Sequence, residues 1–210
     1  MLSSLFQICH SFIPYYSRED YEWIGVVRPE ERNFEENENL AGLLDEWEVL
    51  KNEHPLDIST ERIFELARKY HVTGGKWMFW AETGYRIDHL WAIVAKGIVS
   101  KKILSLHAKV NARNIPSNGP RYDTTQYLKD RYNSQHVVCI FNKNFLDFEN
   151  LCELEKSIRD SGLKLPLNYK PDIFTYLDVY SNNPWGIYPI IYKSTYSILD
   201  KCGIIKSTFQ

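Results

Sequence analysis

The sequence lacks most of the signatures that announce chemistry. Its 210 residues hold four cysteines, Cys9, Cys139, Cys152 and Cys202, and no two stand as a C-x-x-C pair. That argues against a zinc knuckle or a thioredoxin-like motif. Cys139 lies in an apolar run and Cys152 on a predicted helix, so both read as buried thiols; reduced thiols fit a cytoplasmic or nuclear protein. The six histidines are scattered without metal-ligand spacing. Paired catalytic carboxylates, a Ser-His-Asp arrangement and a phosphate-cradling glycine-rich loop are all missing, so neither an enzyme nor a cofactor is expected. No run approaches about 18 apolar residues, which leaves no membrane span to expect. Residues 1–14 are mildly apolar but contain Gln7 and His10 and no basic leader, so no signal peptide is expected. Internal repeats and low-complexity tracts are absent. Charge of one sign is also absent as an excess: 25 Lys and Arg against 27 Asp and Glu give a net charge of -2. This disfavours nonspecific nucleic-acid binding by the whole surface and leaves room for a local basic patch.

What is present is a core. A hydrophobic fraction of 44%, with 14% aromatic residues, suffices for one domain. We place it at residues 39–210, behind an irregular N-terminal arm, residues 1–38, whose Tyr15, Tyr16, Tyr21 and Trp23 are expected to be able to pack onto it. Residues 30–38 read as a solvated acidic loop. The strongest pattern spans residues 73–113 and predicts strand, helix, strand. In its last strand, residues 103–113, Leu104, Leu106, Ala108, Val110 and Ala112 share one face, and Ser105, His107, Lys109, Asn111 and Arg113 share the other. The helix between, residues 87–98, carries Ile87, Leu90, Trp91, Val94 and Ile98 as one apolar stripe. It is expected to cover the apolar face and to leave the Lys109 face open.

Either side of this unit the patterning continues. Leu40, Leu43, Leu44 and Trp47 mark a helix that ends at Pro55. Ser59 or Thr60 caps a second helix with Ile63, Leu66, Ala67 and Tyr70. Residues 114–135, rich in turn formers, read as a long surface loop, and residues 136–141 as a continuous apolar strand. Asp147 caps a helix bearing Phe148, Leu151, Leu154 and Ile158, which Gly162 stops. Strands are predicted over residues 165–170, 173–180 and 188–194.

These motifs carry a resemblance. Gly74-Gly75-Lys76-Trp77, Ile87-Asp88-His89-Leu90-Trp91, Val110-Asn111-Ala112-Arg113 and the strand from His136 followed by a helix resemble the eukaryotic translation initiation factor 4E fold, the mRNA cap-binding architecture. The likeness is closer to the uncharacterised family named after a basophilic leukaemia-expressed protein. That family's hallmarks are similar to Ala108-Lys109-Val110, to the run from Tyr169 to Leu177, and to Asn183-Pro184-Trp185-Gly186-Ile187-Tyr188-Pro189. The resemblance implies an α+β fold: a single curved antiparallel sheet with helices on its convex face, 4E-like. It also implies a phosphate-binding side. Lys76 stands where the factor's arginine follows the two glycines, Arg113 where its phosphate-contacting arginine ends the strand, and His136 where it has a lysine. The cap-binding factors sandwich a methylated guanine between two tryptophans, one of them in a Trp-Glu pair before the glycines. Here residues 64–73 contain no tryptophan.

The expected function is therefore a non-enzymatic module that binds a nucleotide or an RNA 5′ end on a basic concave sheet face. The alternative is a protein-interaction module with no nucleotide ligand. The candidate phosphate-binding residues are Lys76, Lys109, Asn111, Arg113, His136 and Lys170, since arginine offers a planar fork and lysine a point charge. Trp80, Tyr176 and Trp185 are base-stacking candidates. Asp172 either pairs with a lysine or caps a turn. For the polar face the competing reading is a solvated surface, and for each aromatic it is core packing. His89 reads as a structural histidine and His107 as a weaker site candidate.

Overall fold

Alternating strands with one apolar face must cover that face. In the computed structural model, which describes residues 23–28, 38–111 and 135–208, they do so by forming one sheet. Its seven strands are β1 (Trp23–Val27), β2 (Gly75–Glu82), β3 (His107–Asn111), β4 (Gln135–Asn142), β5 (Leu167–Pro171), β6 (Tyr192–Ser197) and β7 (Cys202–Ser207). They run in the order β1-β3-β4-β2-β5-β6-β7, with antiparallel neighbours throughout. The described helices are α1 (Leu40–Glu53), α2 (Thr60–Lys69), α3 (Tyr85–Val99), α4 (Phe148–Asp160) and the short α5 (Asp172–Tyr176). The protein is thus α+β, with a single curved antiparallel sheet.

The helices start where their capping residues stand. Ser59 accepts from the Arg62 amide at 3.2 Å and Asp147 from the Asn150 amide at 3.0 Å, each satisfying a donor that the first turn leaves open. One face of the sheet takes the helices. Trp77 and Phe79 of β2, Ala108 and Val110 of β3, Val138 and Ile140 of β4, and Leu167 and Tyr169 of β5 form one core with Leu43 and Trp47 of α1, Ile63 and Leu66 of α2, Val94 and Ile98 of α3, and Leu151 and Leu154 of α4. The Trp77 indole N–H donates to the Leu151 carbonyl at 3.3 Å, tying the central strand to α4. Gly75 is needed at the start of β2 because the Tyr169 phenol occupies the place of a side chain. A Cβ there would overlap its hydroxyl and stand 2.8 Å from Cζ.

The register of β3 agrees with the alternation: Ala108 and Val110 are buried against the helices, and Lys109 points to the other face. Several expectations need correction. Residues 103–106 precede the strand, and Leu104 is 55% exposed, because the chain turns there before pairing begins. Leu44 is exposed, and the stripe of α1 runs through Leu43, Trp47 and Leu50. Residues 173–180 are not a strand: Pro171 closes β5 and α5 follows, burying Ile173 and Phe174. The next strand starts at Tyr192, not residue 188, and a seventh strand, β7, was not foreseen. Residues 23–27 of the expected irregular arm form an edge strand on β3. Cys152 is half-buried rather than buried. Arg113 and the loop at 114–134 lie outside the described residues. Among the described residues no helix is long and apolar enough to cross a membrane.

Candidate phosphate-binding face

The face opposite the core is fixed by strand parity. On β2 it carries Lys76, Met78 and Trp80. Cross-strand pairing sets Lys76 beside Phe141 of β4 and Lys170 of β5, and Met78 beside Cys139 and Asn168. Lys109 of β3 lies directly opposite Cys139 on the other side. The sheet thereby gathers Lys76, Lys109 and Lys170. This face is not the open surface expected: Met78, Cys139, Lys76 and Lys170 at its centre are all buried.

Burying lysines is costly unless their charge is answered. Asp172 answers that of Lys76, and the Asp178 charge acts on Lys170. Asp172, the first residue of α5, forms an ion pair with the Lys76 ammonium, which also reaches the Thr175 hydroxyl at 3.2 Å. Asp172 is held there by its own amide, which donates to the Gly74 carbonyl at 2.8 Å. Of its two expected roles, pairing with a lysine is the one it performs. The other lysines rest on aromatic rings. Lys109 Nζ lies 4.3 Å from the Trp23 ring centroid and 5.5 Å from that of Phe141, and Lys170 Nζ lies 3.8 Å from that of Tyr180. These are favourable cation–π contacts. Burial lowers the pKa of Lys109. Burial, reinforced by the neighbouring Lys76 charge, brings Lys170 down to about 8. Burial pushes the Cys139 thiol between them up to about 11, which keeps it protonated. The cluster thus sets three lysines together, two of them with pKa values lowered chiefly by burial.

The remaining candidates separate. Asn111 lies on the same face, but its amide oxygen accepts from the Val137 N–H at 2.6 Å and so extends the β3–β4 ladder. His136 points to the opposite face. Its Nδ1 donates to the Asn111 carbonyl at 2.6 Å and its Nε2 lies 2.9 Å from the Thr83 hydroxyl. It is buried on the helix side of the sheet and does not join the lysines. Trp80 is on the lysine face and 41% exposed, and Tyr176 is exposed on α5. Trp185 is not a stacking platform, because it packs edge-on to Trp47 of α1 at 5.0 Å. His107 stacks on Phe141 at 4.2 Å on the lysine face, and His89 on Tyr85 at the outer surface of α3. Sequence reasoning missed Phe141 and Tyr180 as supports for the lysines. Phe141 had a signal, since its place opposite Lys76 follows once β4 is paired; Tyr180 had none, because it was assigned to a strand that does not exist.

The fold and this face together define an α+β protein with a partly buried lysine cluster on the side of a seven-stranded antiparallel sheet that faces away from the described helical core. The chain belongs to the family of the basophilic leukaemia-expressed protein Bles03, whose sequence model matches residues 50–178. That match spans β2, β3, β4 and β5, and with them Lys76, Lys109, Lys170 and Asp172.

Proposed function

We propose that the protein is a non-enzymatic binding module for a nucleotide or an RNA 5′ end, with the phosphates held on the lysine face. One observation carries this reading. Three lysines converge on one sheet face; Asp172 pairs only with Lys76, and the other two rest on aromatic rings, with Asp178 acting on Lys170 without an ion pair among the described residues. The resemblance of Gly74-Gly75-Lys76-Trp77 to the initiation factor 4E motif supports the same placement, with the lysine face as the concave one. Trp80 is the exposed aromatic nearest in register to this cluster and supplies a surface for a base.

The 4E-like reading stops short of the cap. Residues 64–73 fall on α2 and the turn after it, where Phe64 packs tilted on Phe145 at 4.9 Å and stacks on Phe174 at 6.0 Å. This stretch offers no tryptophan to sandwich a methylated base. A methylated cap analogue is therefore expected to bind no better than its unmethylated form. The test is a binding screen of nucleoside triphosphates, 5′-triphosphorylated RNA oligomers and cap analogues. Retention of a phosphorylated ligand is the expected result; failure of all of them, with capture of protein partners instead, favours the protein-interaction alternative. A tenfold preference for the methylated cap, about 1.4 kcal/mol, would contradict the reading of residues 64–73.

A further inference from the structure

The lysine face does not end at β5. The pairing register extends it in a straight row across the sheet: Lys109 opposite Cys139, then Met78, Asn168, Lys193 of β6 and Lys206 of β7. Two cross-strand pairs on this face set lysine directly against lysine, Lys76 with Lys170 and Lys193 with Lys206. Like charges directly opposite one another destabilise a sheet. The first pair has Asp172 beside it, whereas the second forms no ion pair among the described residues. Both Lys193 and Lys206 are exposed. Lysine on an edge strand guards against edge-to-edge association, which accounts for Lys206 alone. It does not account for Lys193, which sits on the inner strand of that pair with its Nζ 5.1 Å from the exposed Tyr188 ring.

Along this face lysines lie against aromatic rings: Lys109 by Trp23 and Lys193 by Tyr188 in the row, and Lys170 by Tyr180 beside it. From Lys109 to Lys206 there are five strand-to-strand steps, about 24 Å at the usual strand spacing, too far for one nucleotide to bridge. A positive track with interleaved aromatic faces suits a flexible polyanion whose bases stack. Resting on the reading of the central cluster given above, we infer that the ligand is single-stranded nucleic acid several nucleotides long. Lys193, Lys206 and Tyr188 form a second subsite for its backbone and a base, beyond the central one.

The test uses the full chain, a nucleoside triphosphate and a ten-nucleotide single-stranded RNA as probes, and the variants Lys206→Glu and Lys193→Gln/Lys206→Gln. The wild type is expected to bind the ten-mer at least tenfold more tightly than the triphosphate. Each variant is expected to lose most of that advantage while keeping its triphosphate affinity, with a shallower salt dependence. Lys206→Glu places a carboxylate opposite Lys193, so it melts no lower than the wild type. A loss of ten-mer binding with an undiminished melt separates a binding role from a structural one. Equal affinities for the two probes, or a ten-mer affinity unchanged in both variants, would overturn the second subsite and leave the central one standing. Equal binding of a duplex would overturn the stacking role of Tyr188. No binding of either probe by the wild type would remove both readings together.

Discussion

Asp172→Asn is the perturbation that probes the lysine cluster most sharply. The substitution keeps the shape of the side chain and removes the one carboxylate paired with Lys76. The side chains of both partners are largely withdrawn from solvent, 11% exposed for Lys76 and 18% for Asp172. Breaking such a pair from one side leaves a buried charge unanswered, which costs about 3–5 kcal/mol when burial is complete; the residual exposure here places the expectation near the lower end, about 3 kcal/mol. Lys170 loses a stabilising charge at the same time, because Asp172 is one of the groups that hold its pKa up, so it moves below about 8. Urea unfolding at pH 7 measures the loss, with an unchanged m-value showing that the compactness of the two states is the same. Replacing the pair by apolar groups, Lys76→Met with Asp172→Leu, is expected to recover most of the stability. The cluster then also has less negative charge in the single variant, so phosphate or pyrophosphate should raise the Asp172→Asn midpoint more than that of the wild type. A loss below about 0.5 kcal/mol, in the range of an exposed ion pair, with no greater response to phosphate, would refute the reasoning.

Other predictions follow from neighbouring groups. Lys170 has a folded pKa of about 8 against 10.5 unfolded, so the unfolded state holds more protons between those values and stability rises there, by about 1.4 kcal/mol per pH unit. Cys139 acts in the opposite sense above pH 9, because its folded pKa is raised. The comparison is therefore of wild type with Lys170→Met between pH 8 and 9, where the wild type should gain on the variant; parallel pH profiles would contradict the buried lysine. Anion affinity should fall as pH rises through 8, as Lys170 loses its charge. Far from the central cluster, Arg159 of α4 donates to Glu155 at 2.6 Å, to Ser194 of β6 at 2.7 Å and to the Leu163 carbonyl in a buried seam, and to the Leu165 carbonyl at its partly buried margin. Arg159→Met should cost about 3–5 kcal/mol by leaving Glu155 unpaired, measured by denaturant unfolding, with phosphate binding intact. A cost under about 1 kcal/mol would show that the seam does not depend on that charge pair.

The sequence made some of this legible and concealed the rest for identifiable reasons. Residues 107–111 alternate cleanly, and that alternation alone placed Lys109 on the face away from α3. Ser59 and Asp147 marked their helices because a capping side chain must stand where the first turn has open donors. His136 went wrong because β4 is buried on both faces: Val138 and Cys139 are both inaccessible, so the apolar run shows no parity. The resemblance placed the residue on the phosphate side, and the register places it on the other. Residues 173–180 mix aromatics and β-branched groups and look like a strand, yet Pro171 ends the ladder and a short helix turns Asp172 back onto Lys76. β1 and β7 were hidden because edge strands are short and only partly buried. The gathering of Lys76 and Lys170 depended on β5 pairing with β2, a contact between residues 94 positions apart that no local pattern announces.

The most direct test of the central claim is a titration of a phosphate-bearing ligand, a nucleoside triphosphate or a 5′-triphosphorylated RNA, into the Lys109→Glu/Arg113→Glu variant beside a thermal melt. Each contact to a charged group contributes about 1.5–3 kcal/mol, and reversing two charges adds repulsion to the lost attraction. The account predicts that the variant's binding is abolished, that wild-type binding weakens with salt, and that the variant's melt is preserved, because Lys109 faces away from the core. Unchanged affinity, or a melt that collapses, would contradict it.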